Sequence, residues 1–266
     1  MSQFPSQKIQ ISQSWKGSDS LKFLVIFGDS YSAVGYDFAS HVPTTEEPLG
    51  IPFPGETYTE PSTPNWVGHF ITTCAVENKW VVFDYAVGGA SVHDVWHQVK
   101  FCFKDDIADA SSKADWATEN TLFVTWVGIN DSAWTSEHGG NMKKLLSAQE
   151  ELYNWGARNF LFINVPAIDR APAQGIAENY VGWNTELTKS AASFAATHSD
   201  CTVLLFSAWD TFNALLDDPV GHGFCKGDES KAYSSVWTDM LHPTSRVHDF
   251  VALDVVEFLR EVERSS

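Results

Sequence analysis

The sequence predicts one doubly wound α/β domain, a five-stranded parallel sheet covered on both faces by helices. Two observations predict it. Five short apolar runs, at 23–27, 81–85, 121–127, 159–165 and 202–206, are each bounded by turn residues, as buried strands are. Between them lie segments whose apolar residues recur at helical spacing, and strand alternating with helix builds a three-layer α/β/α sandwich. A chain of 266 residues with 44% hydrophobic content can bury a core of that size in one domain.

Met1 to Ser20 is polar and reads as an N-terminal extension ahead of a domain spanning 21–266. The first strand, Phe23 to Phe27, runs into Gly28-Asp29-Ser30-Tyr31-Ser32. A long segment rich in Pro, Glu and Thr (36–63) follows, and a loop of that length beside a strand end commonly shapes a substrate cleft. Pro64 opens a helix over 64–77, with Trp66, Val67, Phe70 and Ile71 at helical spacing. The second strand leads into Tyr85-Ala86-Val87-Gly88-Gly89-Ala90-Ser91, and His93 to His97 reads as a surface helix. The third strand ends in Trp126-Val127-Gly128-Ile129-Asn130-Asp131. Helices are expected over 141–156, with Leu145, Leu146, Leu152 and Trp155, and over 184–199 and 207–217. The last, 244–263, carries Val247, Phe250, Val251, Val255, Phe258 and Leu259 on one face. Just before it stands Trp237-Thr238-Asp239-Met240-Leu241-His242-Pro243-Thr244.

Those four polar segments, each at a strand end or in a late loop, contain the groups acyl transfer requires. Ser30 is the candidate nucleophile, because a hydroxyl at the carboxyl edge of an open sheet lies where such folds bind ligands. His242 can take its proton near neutral pH and return it to a leaving alcohol. Asp239, three residues earlier, can fix the imidazole tautomer and stabilise the imidazolium. Asn130 can aim an amide N–H at a developing oxyanion, with the backbone N–H of Ser30 and of a glycine after the second strand as further donors. Asp29 and Asp131 read as carboxylates that brace turns. Asp94-Val95-Trp96-His97 repeats the Asp-x-x-His spacing but lacks the C-terminal loop, the following proline and the helix that frame Asp239 and His242.

With these blocks in this order, the chain resembles the SGNH, or GDSL, hydrolase superfamily over roughly residues 20 to 262. Asn65-Trp66-Val67 and Phe160-Leu161-Phe162-Ile163-Asn164-Val165-Pro166 are similar to segments of fungal acetylesterases of carbohydrate esterase family 16 and of plant GDSL esterases. The resemblance implies a flavodoxin-like fold. It implies Ser30, Asp239 and His242 as catalytic residues and Ser30, Gly89 and Asn130 as the oxyanion hole. Gly89 is preferred to Gly88 because the superfamily's glycine stands two positions before a Ser or Thr, here Ser91. An α/β-hydrolase elbow would need glycine two residues after the nucleophile, where this chain has Ser32. The resemblance further implies short acyl groups, chiefly acetyl, on neutral oligosaccharides, with a lipase or aryl esterase of broader acyl range as the alternative. The chemistry calls for no cofactor and no metal.

Two rival readings come from other motifs. His93-Asp94-Val95-Trp96-His97 places two imidazoles at i and i+4, as in a metallohydrolase, but Asp replaces the expected Glu and no clear third ligand follows. Eleven Trp and 18 Phe could stack on sugars in a non-catalytic binding module, although most aromatics in such a domain belong to the core. The net charge of −17 opposes nucleic acid, anionic membranes and polyanionic polysaccharides as partners. No segment has transmembrane length, and the N-terminus lacks the apolar core of a signal peptide. The expected location is cytoplasmic, or secreted if a signal peptide has been removed. Cys74, Cys102, Cys201 and Cys225 allow two disulfides or four free thiols.

Overall fold

The five apolar runs become strands β2 (Phe23–Gly28), β3 (Val81–Asp84), β4 (Thr121–Trp126), β5 (Asn159–Ile163) and β6 (Thr202–Phe206), every residue of which is buried. They pair in parallel in the order β3-β2-β4-β5-β6. The computed structural model describes residues 2–39, 41–108 and 113–264. A sheet covered on both sides demands such near-continuous apolar strands, which is why they stand out in the sequence.

The expected count of five is corrected to six. Strand β1 (Gln7–Gln10) lies within the N-terminal extension and pairs antiparallel with β6. Its residues, Gln-Lys-Ile-Gln, bury little and show no apolar alternation. Polar contacts hold it instead: Gln10 donates through Nε2 to the carbonyls of His198 (2.8 Å) and Cys201 (2.7 Å). Beyond it, Ser12 N donates to Thr202 Oγ1 (3.0 Å). At the other edge Val82 N of β3 donates to Pro48 O (2.9 Å), so the long loop after β2 covers that edge.

On one face lie α1 (Trp66–His69), α6 (Ala208–Asp217) and α7 (Ser245–Arg260), with α7 against both others. Wider π-type turns carry α1 on through Phe70–Cys74, which matches the 64–77 expectation. The opposite layer contains α2 (Val92–His97), prolonged by π-type turns over Gln98–Ala108, together with α4 (Gly139–Asn154) and α5 (Ala177–Thr197). A single turn, α3 (Ile129–Ser132), follows β4. Cys74, Cys102, Cys201 and Cys225 are all free thiols, the last exposed. No helix among the described residues is long and apolar enough to cross a membrane.

The chain steps from β2 out to β3 and then returns past β2 to β4. The order therefore reverses beside β2, and the switch point of the sheet lies between the ends of β2 and β4. Ser30 follows one of these strands and Asn130 the other. Entry to α1 is fixed by the buried Asn65, whose Oδ1 accepts from Val67 N (3.0 Å) and whose Nδ2 donates to the carbonyls of Ser32 and Ala33 (2.9 Å each). That one side chain caps the helix and holds the turn after Ser30. Replacing it (Asn65→Ala) orphans two buried carbonyls and the cap, and should cost about 3 kcal/mol in urea unfolding.

Candidate active site

Ser30 and His242 come from segments at opposite ends of the domain and meet at the carboxyl edge of the sheet. Ser30 Oγ lies 2.9 Å from His242 Nε2, and His242 Nδ1 lies 2.7 Å from Asp239 Oδ2. The other carboxylate oxygen of Asp239 accepts from the backbone N–H of Leu241 and of His242, 2.7 Å each. Burial works against the charged form of Asp239, but those two N–H groups and the imidazole outweigh it and hold the carboxyl below its ordinary range. The loop is closed at its base, where the N and Oγ1 of Thr238 both donate to His242 O (2.9 and 2.8 Å).

Tyr31 joins the two halves. Its hydroxyl donates to Leu241 O (2.7 Å), while its ring sits edge-on to Trp126 and close to His242 and His248. The end of β2 is clamped from the opposite layer. Gln98 accepts from Gly28 N (3.0 Å) and donates to Gly28 O (2.9 Å), so its amide replaces a ladder partner where the strand stops. Ser32, whose place a glycine would take in an α/β-hydrolase elbow, accepts from Trp66 Nε1 (3.0 Å).

Asn130 Nδ2 donates one hydrogen to Ala90 O (2.9 Å), which ties it to the loop after β3, and the second hydrogen meets no acceptor among the described residues. Among the described residues the N–H groups of Ser30, Gly88 and Gly89 donate to no acceptor. The two glycines serve different ends. Gly89 takes the left-handed conformation (φ 78°) with open space where a Cβ would stand, whereas a Cβ on Gly88 would collide with the hydroxyl of Tyr58. Tyr58 belongs to the long loop and lies over the imidazole of His242, ring centroids 5.0 Å apart and planes at 30°.

Two other arrangements resemble this one in composition. The carboxylate of Asp94 accepts from Ser91 N and Oγ (2.8 and 2.7 Å) as a capping group, while His97 packs on Phe101. No group of three or more His, Cys, Asp or Glu among the described residues could hold a metal ion. Ser245, His69 and Asp249 form a second Ser-His-Asp set, at 2.9 and 3.3 Å. There the serine proton is committed to Pro64 O (2.6 Å), which leaves the hydroxyl to accept from the imidazole. The geometry for proton removal from a serine is therefore found at Ser30.

Asp131 accepts from Val92 N at the start of α2 (3.2 Å to each oxygen), bracing across to a neighbouring loop. Asp29 is fully buried. One oxygen accepts from Tyr31 N (3.1 Å) and the other has no partner among the described residues. Burial, opposed by the Tyr31 N–H and reinforced by Asp131, pushes its carboxyl up to about 7. Its folded-state value thus exceeds the unfolded one, so its contribution favours folding most at low pH and declines as pH rises from about 4 to 7. Asp29→Asn should remove that decline. Urea unfolding at pH 5 and pH 8 should show the variant gaining roughly 2–3 kcal/mol on the parent between the two.

Gln98, Tyr58 and the Tyr31 hydroxyl were not legible as parts of the site from sequence. Each acts through a contact to a residue far along the chain, and only the aromatic character of the two tyrosines hinted at a packing role.

Comparison with known proteins decides the family. A sequence model described as GDSL-like Lipase/Acylhydrolase matches residues 24–255. The chain belongs to that family. A curated acetylesterase of Thermothelomyces thermophilus is 28% identical over 271 residues, which cover 90% of this chain and 88% of the relative. Axe2, an acetylxylan esterase from Geobacillus stearothermophilus, superposes with a TM-score of 0.59 at 13% identity, covering 98% of this chain and 99% of its own. A member of the lipolytic G-D-S-L family from Veillonella parvula DSM 2008 gives 0.55 at 17% identity, covering 91% and 100%. At these identities the two structures speak for the fold. As a GDSL acylhydrolase the chain is a carboxylic ester hydrolase, and its substrates are small-molecule esters.

Proposed function

We propose that this GDSL acylhydrolase removes short acyl groups, chiefly acetyl, from neutral carbohydrates by a serine mechanism of the kind found in carbohydrate esterase family 16. The observation that carries the mechanism is the unbroken line Ser30 Oγ, His242 Nε2, His242 Nδ1, Asp239 Oδ2 at 2.9 and 2.7 Å. Ser30 Oγ attacks the ester carbonyl as its proton passes to His242 Nε2, and Asp239 stabilises the imidazolium. The carbonyl oxygen, now an anion, takes the unused hydrogens of Ser30 N, Gly89 N and Asn130 Nδ2. Collapse of the intermediate breaks the C–O bond, and the alkoxide leaves with the proton from His242. Water then enters, gives a proton to His242 and its hydroxyl to the acyl carbon, and the carboxylic acid departs, to ionise in solvent, as Ser30 recovers its proton.

Ser30→Ala and His242→Ala should each lower kcat on an aryl acetate at least a thousandfold, with folding intact by circular dichroism. Activity within tenfold of the parent in either would remove the assignment. Asn130→Ala should lower kcat by about 10²–10³ with little change in KM, because its spare hydrogen meets charge that develops in the tetrahedral intermediate.

Acetyl specificity is supported by the acetylesterase relative, and the preference for neutral sugars by the net charge of −17. That field should slow encounter with a polyanion at low salt. Acetylated xylo-oligosaccharides should therefore be deacetylated faster than acetylated pectin, with the gap narrowing at about 0.5 M salt. One observation favours the broader acyl range of a lipase: Val87, Trp134 and Met240 are exposed apolar side chains close in sequence to Gly89, Asn130 and Asp239. Higher kcat/KM on octanoate than on acetate esters would decide for that reading.

A further inference from the structure

A cleft of about 500 Å³ opens beside Asp239, and its walls include Tyr58, Glu60, Tyr233, Ser234 and Thr238. Tyr58 is part of its lining. That ring, 44% exposed, lies over the His242 imidazole and touches Gly88 with its hydroxyl, so the cleft is continuous with the site described above. Tyr233 stands on its wall, 83% exposed, and makes no hydrogen bond or ring contact among the described residues.

Tyr233 is also held in an unfavourable backbone conformation. Its φ is 55°, in the left-handed region that bulky side chains avoid. The flanking loop enforces this. The Asp228 carboxylate accepts from Ser235 N and Oγ (3.0 and 2.9 Å), Ser234 Oγ donates to Asp228 O (3.1 Å), and Trp237 Nε1 donates to Glu229 O (2.9 Å). Packing does not account for the strained pose of a tyrosine presented almost wholly to solvent.

The chemistry assigns the cleft a side. The leaving alcohol must receive its proton from His242 Nε2, so the alcohol half of the ester departs past the imidazole whose face Tyr58 covers, and the same Tyr58 lines the cleft. Two tyrosine faces suit the C–H surface of a sugar ring, and the carboxylate of Glu60, one oxygen of which accepts from Ser245 N (2.7 Å), suits its hydroxyls. The carboxylates of Glu60 and Asp239 disfavour a uronate there. We propose that this cleft is the subsite for the alcohol half of the substrate, in which Tyr233 is the platform for a neutral sugar residue beyond the one that carries the acyl group. This rests on the carbohydrate esterase reading.

The test uses the full chain as Ser30→Ala, so that binding is read without turnover. Xylo-, manno- and cello-oligosaccharides of two to five units are titrated by calorimetry. The tightest of them should bind at least tenfold more weakly when Tyr233→Ala is added, while Tyr233→Phe should stay within about twofold of the parent. Tyr233→Gly separates function from folding: glycine accepts the left-handed conformation, so its unfolding midpoint should hold or rise while sugar affinity falls as in Tyr233→Ala. Affinity within twofold of the parent in both Tyr233→Ala and Tyr233→Gly would overturn the subsite and leave the carbohydrate reading standing. If the parent cleaves vinyl acetate yet neither deacetylates nor binds any oligosaccharide, the carbohydrate reading falls, and the subsite with it.

Discussion

The bond from the Tyr31 hydroxyl to Leu241 O is the contact on which the site depends. Ser30 and His242 are 212 residues apart in sequence, each on a loop, and an ångström of misplacement in either would pull the pair apart. An error of that size can cost two orders of magnitude in rate. Tyr31 opposes it because it adjoins the serine, while the carbonyl it grips adjoins the histidine. Its ring is buried among Trp126, Phe212 and His248, so the tie is anchored in the core. Gln98 does the same for the other side of Ser30 by gripping Gly28, and Asn65 for the turn that follows. Three layers of the fold thus converge on a few residues of backbone.

Around that backbone three aspartates meet three environments. Asp239 is partly exposed and accepts two N–H groups and an imidazole, which keeps it charged behind the His242 ring. Asp131 is more buried, and its two oxygens share the N–H of Val92. Asp29 is sealed in with one partner, and burial dominates. One side-chain type therefore supplies an anion, a brace and a buried acid, according to the number of donors and the water each reaches.

What the sequence revealed and what it hid follow from the range of the interactions. Strands β2 to β6 were legible because a doubly covered sheet writes unbroken apolar runs, and Ser30, Gly89 and Asn130 were legible because they stand just beyond where those runs stop. Gly28-Asp29-Ser30 and Asp239 to His242 are each local, and the second carries its own hydrogen bonding. Strand β1 was hidden because Gln7 to Gln10 attaches through side-chain amides and backbone, with almost no apolar burial to announce it. Tyr58 was hidden among the prolines and threonines of a loop whose course depends on the rest of the fold. The second Ser-His-Asp set marks the limit of composition as a guide. The sign that separates Ser245 from Ser30 is the direction of one hydroxyl proton, fixed by the carbonyl of Pro64.

The antiparallel course of β1 has a practical corollary. Because β1 runs against its neighbour, Ser2 and Ser6 lie near Asp210 and Ser207, at the edge of the sheet where the strands end. Helix α7 starts just after His242 and descends to the opposite edge, where Val262 meets Trp15. The two ends of the described chain are thus at opposite poles of the molecule. A protein attached to a solid support beyond α7 would present the face that carries Ser30 outward to a large substrate. The same protein attached ahead of β1 would turn that rim towards the support, so the choice of coupling end alone should set how large a substrate the immobilised protein can reach.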